Sequence, residues 1–247
     1  MYFTYIFSKE CGRLIMDLYL SDLHLGNPLF ESEKAILKLL NEPKYDKIFI
    51  LGDIIDTWET PVESIRKKHE HLITQINLRA KQGPVIIIRG NHDPNILVMH
   101  SIFDMCRIFE SLREGKTMFV HGHEFDELIT KYYWLAKLIF PIRWLLERLG
   151  VNLLAYTRNL YHSVAAKKQN KQYDDLVLGI EKQAVAKYEK DFDYLVMGHT
   201  HLPKLVPRDA DPDDPRKCDY INTGDWIHNR TYIERDENKF KLCEAKR

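Results

Sequence analysis

The chain is 247 residues long, and its 36 Lys and Arg balance 36 Asp and Glu to a formal net charge of zero. At 45% hydrophobic and 29% charged it has an ordinary globular composition, long enough for one large domain or two small ones. Neutrality excludes a globally basic nucleic-acid binder and a long acidic tail, and four cysteines without a CxxC pair (Cys11, Cys106, Cys218, Cys243) exclude a thiolate zinc site or a short-spaced disulfide framework.

Reduced thiols point to a cytoplasmic protein. The apolar opening over residues 2–7 is too short for a signal-peptide core, and Met16 precedes a clean strand. Residues 1–15 are therefore read as an N-terminal appendage or start-site extension, and 16–247 as the folded domain. From Met16 onward one pattern recurs: a short apolar run ends abruptly in Gly, Asp, Asn or His. Leu18-Tyr19-Leu20 runs into Ser21-Asp22-Leu23-His24, and Ile48-Phe49-Ile50-Leu51 into Gly52-Asp53-Ile54-Ile55-Asp56. Val85–Ile88 runs into Arg89-Gly90-Asn91-His92-Asp93, Met118-Phe119-Val120 into His121-Gly122-His123-Glu124, and Tyr194–Met197 into Gly198-His199-Thr200-His201.

Continuous apolar runs of this length read as strands buried on both faces. Helical patterns over residues 31–40 and 61–81 separate the first three, which predicts crossover units and an α/β sheet. Ligands of such sheets sit at the carboxyl ends of the strands, where all five polar clusters fall. Residues 126–190 form an insertion: an unusually apolar helical stretch around Tyr132 to Leu154, then a helix over 174–190. Charges at Lys131, Lys137, Arg143, Glu147 and Arg148 keep its apolar density short of a membrane span. After Asp209, alternating segments at 218–222, 230–234 and 240–244 read as meander strands completing a second sheet.

The polar clusters offer two carboxylates (Asp22, Asp53), one amide (Asn91) and four imidazoles (His24, His121, His199, His201). This set without thiolate suits borderline-to-hard divalent ions: Mn²⁺ first, with Fe²⁺ or Zn²⁺ as alternatives. Seven ligands exceed the needs of one catalytic ion and suit two that share a carboxylate. Asp93 reads as a turn residue before Pro94, and Gly26 and Gly52 as backbone necessities at tight turns. His69, His71, His100, His162 and His228 read as surface or core histidines.

In order, D-x-H, G-D-x-x-D, G-N-H-D, H-G-H and G-H-T-H resemble the motifs of the calcineurin-like metallophosphoesterases, from Asp22 to His201. The resemblance implies a two-sheet β-sandwich flanked by helices (α-β-β-α), with the insertion as a helical cap. It implies that Asp22, His24 and His201 hold one ion, that Asn91, His121 and His199 hold the other, and that Asp53 bridges them. It further implies in-line attack on phosphorus by a hydroxide between the ions. His92 then protonates the leaving group, Asp56 orients its imidazole, and His123 stands behind the ligands.

Within that superfamily, Gly52-Asp53-Ile54-Ile55-Asp56-Thr57-Trp58, His121-Gly122-His123-Glu124-Phe125-Asp126 and Ile221-Asn222-Thr223-Gly224-Asp225-Trp226 resemble the UDP-2,3-diacylglucosamine diphosphatases. The resemblance implies cleavage of the pyrophosphate of a nucleotide-linked diacyl sugar, with acyl chains received by the cap. That branch carries Gly-Asn-Arg-Asp where this chain has Gly90-Asn91-His92-Asp93, the general phosphoesterase form. Candidate substrate contacts are Tyr133, Trp134, Arg158 and Trp226, and the cap could touch the inner face of a membrane. Two other readings stand beside this one: a soluble phosphodiesterase or nuclease of the superfamily, and an inactive metal-binding interaction scaffold. The aromatics sit in apolar rather than basic company, which disfavours nucleic acid. Residues 126–172 hold eight basic and three acidic residues, so neutrality conceals a basic insertion over an acidic base.

Overall fold

The computed structural model describes residues 16–58, 60–127, 130–131, 171–208, 217–237 and 239–246. Its chain builds two sheets. The larger follows the order β11 (Lys239–Glu244), β10 (Thr231–Asp236), β1 (Met16–Leu20), β2 (Tyr45–Leu51), β3 (Val85–Ile88), β4 (Arg107–Phe109), and the smaller β5 (Ser111–Glu114), β6 (Thr117–Val120), β7 (Tyr194–Met197), β9 (Asp219–Asn222), β8 (Lys204–Val206). In the larger sheet β1 (Met16–Leu20), β2 (Tyr45–Leu51), β3 (Val85–Ile88) and β4 (Arg107–Phe109) run parallel, as crossover helices require. In the smaller, β6 (Thr117–Val120), β7 (Tyr194–Met197) and β9 (Asp219–Asn222) run parallel. Its edges, β5 (Ser111–Glu114) and β8 (Lys204–Val206), are antiparallel.

Side-chain alternation explains why the strand sequences are apolar throughout. In β1, Leu18 and Leu20 face the helices while Tyr19 faces the other sheet; β2 and β3 divide in the same way, Ile48, Ile50, Val85 and Ile87 against Phe49, Leu51, Ile86 and Ile88. Between the sheets, Tyr19 stacks on Phe49 at 4.9 Å and Phe49 on Phe119 of β6 at 4.6 Å. Outside the larger sheet lie α1 (Glu33–Leu40), α2 (Val62–Lys68), α3 (Glu70–Gln82) and α4 (Ile96–Ile102). Outside the smaller lies α5 (Lys171–Tyr188), whose Ile180, Ala184 and Val185 pack on Leu195, Met197 and Tyr220. The four layers are the expected α-β-β-α sandwich.

Three details differ from the sequence reading. β10 (Thr231–Asp236) and β11 (Lys239–Glu244) do not complete the second sheet but extend the first, β10 pairing antiparallel with β1. Periodicity cannot choose between two open edges; the register Leu18 to Glu234 does so here. The single helix expected over 61–81 breaks at His69 (φ −111°), whose buried ring turns to Glu33 of α1, with Nδ1 2.8 Å from Oε2. Finally, α5 is one of the sandwich's own layers, so that part of the expected insertion belongs to the core. The rest of the expected cap, residues 132–170, and the appendage 1–15 lie outside the described residues. No described helix is long and apolar enough to cross a membrane. No disulfide joins Cys106, Cys218 and Cys243 among the described residues.

Candidate metal centre

The loops that leave β1 and β2 continue to pair after the strands end. Asp22 N donates to Gly52 O (3.0 Å), His24 N to Asp53 O (2.9 Å) and Leu25 N to Ile54 O (2.8 Å). This brings Asp22, His24 and Asp53 side by side. Each takes a left-handed backbone, with φ of 52°, 51° and 51°, as do His199 (65°) and His201 (58°). Such a conformation costs a non-glycine residue roughly 1–3 kcal/mol. Five of the seven expected ligands adopt it, so the fold holds these side chains against local preference.

Two glycines in the motifs are required by close approach. A Cβ on Gly52, itself at φ +89°, would strike the ring of His121; one on Gly90 would strike Asp53. The reading of Asp93 as a turn residue gains a specific content. Its carboxylate accepts from Gly90 N (2.8 Å), Asp53 N (2.9 Å) and Ile55 N (2.9 Å), tying the loop after β3 to the loop after β2. Burial and the charge of Asp53 push its pKa up to about 6. Asp93→Ala leaves three buried N–H donors without their acceptor and is expected to cost about 3 kcal/mol. The urea-unfolding midpoint of the metal-free protein reads this, and an unchanged midpoint would remove Asp93 from the scaffold.

All seven expected ligands meet at one end of the sandwich. Six of them form two groups, Asp22, His24 and His201 in one and Asp53, His121 and His199 in the other, and a third group, His24, Asp53 and His92, links the two. Asn91 stands beside the second, its Oδ1 3.2 Å from His121 Nε2. The chemistry of the donors tests the fit to a cation. His121 Nδ1 donates to Leu51 O at 2.7 Å, so in the neutral ring Nε2 keeps its lone pair. That lone pair faces Asn91 Oδ1 and Asp53 Oδ2, both at 3.2 Å and both acceptors. Three acceptors converging on one point need a positive charge between them. In the other group, His24 Nε2 and His201 Nε2 face each other at 3.3 Å. Asp22 Oδ1, 3.1 Å from His201 Nε2, is buried without a hydrogen-bond partner among the described residues. These residues fit divalent metal ions.

The electrostatics agree. Burial alone would raise the pKa of Asp22, but His201 and His121 outweigh it and bring it to about 2; at Asp53, His121 and His92 do the same, so that its pKa falls well below the ordinary value. Burial alone would lower His24 and His121, yet the carboxylates of Asp56 and Asp53 lift them to about 9 and about 10. Without metal the His24 and His121 rings take up protons to balance buried carboxylates, and metal binding must displace those protons.

Around the ligands, Asp56 serves two rings: Oδ1 lies 2.9 Å from His92 Nδ1 and Oδ2 3.3 Å from His24 Nδ1. His123 sits behind His121, ring centres 5.5 Å apart, and burial with the neighbouring His121 and His199 holds its pKa near 3. Trp226, expected at a substrate, is fully buried in the core of the larger sheet beside Tyr232, and offers no surface to one. Its peptide N–H serves the site instead, donating to Asp22 O at 3.1 Å. Tyr133, Trp134 and Arg158 lie outside the described residues.

Sequence reasoning missed Asp126, whose Oδ2 is 3.3 Å from His199 Nε2. It also missed the buried amide of Asn222, which donates to Gly198 O (2.8 Å) and Thr200 Oγ1 (3.0 Å) and so shapes the loop of His199 and His201. Asn229 Nδ2 holds His201 O at 2.7 Å. Asp126 and Asn222 sit in motifs the sequence reading singled out, but their partners are far away in the chain.

A sandwich of this kind, with buried carboxylates and imidazoles gathered at its strand ends, defines a metal-dependent phosphoesterase. The calcineurin-like phosphoesterase model matches residues 18–203, most of the chain, and the chain belongs to that family. A UDP-2,3-diacylglucosamine hydrolase of Bordetella parapertussis is 25% identical over 197 residues, covering 74% of this chain and 76% of the relative. One of Aeromonas salmonicida is 24% identical over 87% of this chain and 88% of its own, and one of Psychromonas ingrahamii 25% identical over 91% and 95%. Among solved structures, a phosphoesterase from E. coli has a TM-score of 0.47 and 16% identity, over 93% of this chain and 92% of that one.

Proposed function

We propose that the protein hydrolyses a phosphoester or pyrophosphate bond with two divalent ions, on an amphiphilic, nucleotide-linked substrate of the UDP-diacylglucosamine kind. The observation that carries this reading is the position of Asp53, whose Oδ2 lies 3.2 Å from His121 Nε2 in one ligand group and 3.9 Å from His24 Nε2 in the other. In this reading Asp22, His24 and His201 hold one ion and Asn91, His121 and His199 the other, with Asp53 common to both. The donor set favours Mn²⁺, then Fe²⁺ or Zn²⁺. When bound, such a pair of ions supplies an activated water and neutralises charge developing on phosphorus.

The chain's own residues supply the rest. His92 donates a proton through Nε2 to the leaving oxygen, and Asp56 fixes the opposite nitrogen. Asp56 is kept ionised for this: burial opposes it, but His92 and His24 hold its carboxyl well below the usual range. The diacylglucosamine-nucleotide substrate rests on the relatives' activity and on the three shared motifs. Tyr133, Trp134 and Arg158 are the proposed contacts, and the inner membrane face a proposed neighbour.

The test is a substrate panel with Mn²⁺-loaded protein. Bis(p-nitrophenyl) phosphate should be cleaved, and UDP-2,3-diacylglucosamine should be cleaved faster than cyclic dinucleotides or short DNA. Inertness toward every ester in a folded, metal-loaded protein would leave the inactive-scaffold reading. Preference for DNA would favour the nuclease reading.

A further inference from the structure

The imidazole of His92 is enclosed from several sides. Its backbone N–H donates to Asp53 Oδ1 (2.8 Å), and its Nδ1 meets Asp56 Oδ1 at 2.9 Å. The edge of His24 approaches from one direction, ring centres 4.8 Å apart at 84°. Trp58 covers the ring face-on, with centres 4.1 Å apart and an interplanar angle of 25°. This is the tightest ring stack among the described residues, and Trp58 belongs to neither ligand group.

The loop after β2 is built to place that indole. Thr57 donates twice to His92 O, from its N–H (3.2 Å) and from Oγ1 (2.5 Å). The residue after Thr57 is thereby carried over the His92 ring. A single hydrogen bond at Nδ1 leaves an imidazole free to pivot about that contact, which swings Nε2 through an arc. A flat ring stacked on its face removes that freedom, and loss of alignment in a proton transfer is expensive in rate.

We propose that Trp58 is the positioning residue of the leaving-group proton transfer, holding the His92 ring so that Nε2 points at the scissile bond. The inference rests on His92 as the proton donor. In that step the bond from phosphorus to the leaving oxygen breaks, and this oxygen keeps the electron pair and takes the proton from Nε2. Water supplies the incoming oxygen and its surplus proton goes to solvent. A group that acts only through His92 matters in proportion to the leaving group's need for a proton. A group that merely holds the fold together matters equally for all substrates.

The experiment compares Mn²⁺-loaded full-length wild type, Trp58→Ala, Trp58→Phe, His92→Ala and the double variant. The substrates are bis(p-nitrophenyl) phosphate, with a good leaving group, and diphenyl phosphate, with a poorer one. Metal content is measured alongside. Trp58→Ala is expected to slow phenol release about tenfold or more, with p-nitrophenol release slowed less than about threefold. It should keep the wild-type metal content, Trp58→Phe should restore most of the rate, and Trp58→Ala should add little to His92→Ala. Equal losses on both esters, or loss of metal, would overturn the proposal. If His92→Ala itself affects both esters alike, or if wild type cleaves neither, the reading of His92 fails first and the role of Trp58 with it. If His92→Ala discriminates and Trp58→Ala does not, the proposal alone fails.

Discussion

Asp53→Asn is expected to lose the paired ions and about three orders of magnitude of turnover, yet to leave the metal-free protein as stable as before. Asp53 Oδ1 accepts from His92 N at 2.8 Å, and the amide oxygen of Asn can continue to do so. Oδ2 faces His121, His24 and His92 at 3.2, 3.9 and 4.0 Å. With the carboxylate charge gone, His121 need not stay protonated in the metal-free protein, and its neutral Nε2 can accept from the new NH₂. It also removes a buried negative charge that needs compensation. A second ion would then lack its shared anionic ligand, and the charge stabilisation it provides, several kcal/mol at about 1.4 kcal/mol per decade of rate, goes with it. Calorimetric titration with Mn²⁺ and a thermal melt in chelator are the paired measurements. Full metal occupancy in the variant would refute Asp53 as the shared ligand. A collapse of the metal-free melting temperature would make it a structural residue instead.

His92→Ala is expected to slow turnover about 10²- to 10⁴-fold on esters with poor leaving groups, with both ions retained and KM little changed. The alternative has a geometric basis, because His24, Asp53 and His92 also stand close enough to form a ligand group. His92 Nε2 is 4.0 Å from Asp53 Oδ2. Its side chain is 19% exposed, against 0% for His121. A donor to substrate must be reachable, while a ligand enclosed by its partners need not be. Metal content decides: a variant that binds one ion fewer would make His92 a ligand and leave the leaving-group acid unassigned.

The candidate site was legible because each candidate ligand follows its strand by one to four residues, so order along the chain records proximity in space. D-x-H, G-D-x-x-D and G-N-H-D come from three adjacent parallel strands. H-G-H and G-H-T-H come from two neighbouring strands of the other sheet. What the sequence could not convey is which residues hold the ligands in place. Asp93 works through backbone donors some forty positions away, and Asn222 reaches back more than twenty to Gly198 and Thr200. Trp226 carried the resemblance, yet its ring turned out to be core. An aromatic next to a ligand loop reads the same whether it faces substrate or neighbour. The placement of β10 and β11 was hidden for a related reason: alternation reveals a strand, and only its pairing reveals its sheet.

The division of the proposed ligands between the sheets has a mechanical meaning. Asp22 and His24 leave the larger sheet and His201 the smaller; Asp53 and Asn91 leave the larger, His121 and His199 the smaller. An ion held by either set would be bolted to both halves of the sandwich at once, and one held by the first would close the long chain loop between Asp22 and His201. Resistance to heat would then follow the free metal concentration, rising as RT ln(1 + [M]/Kd) for each ion. Starving the protein of metal would do more than silence it: the two sheets would lose their rivets at the end where the chemistry happens.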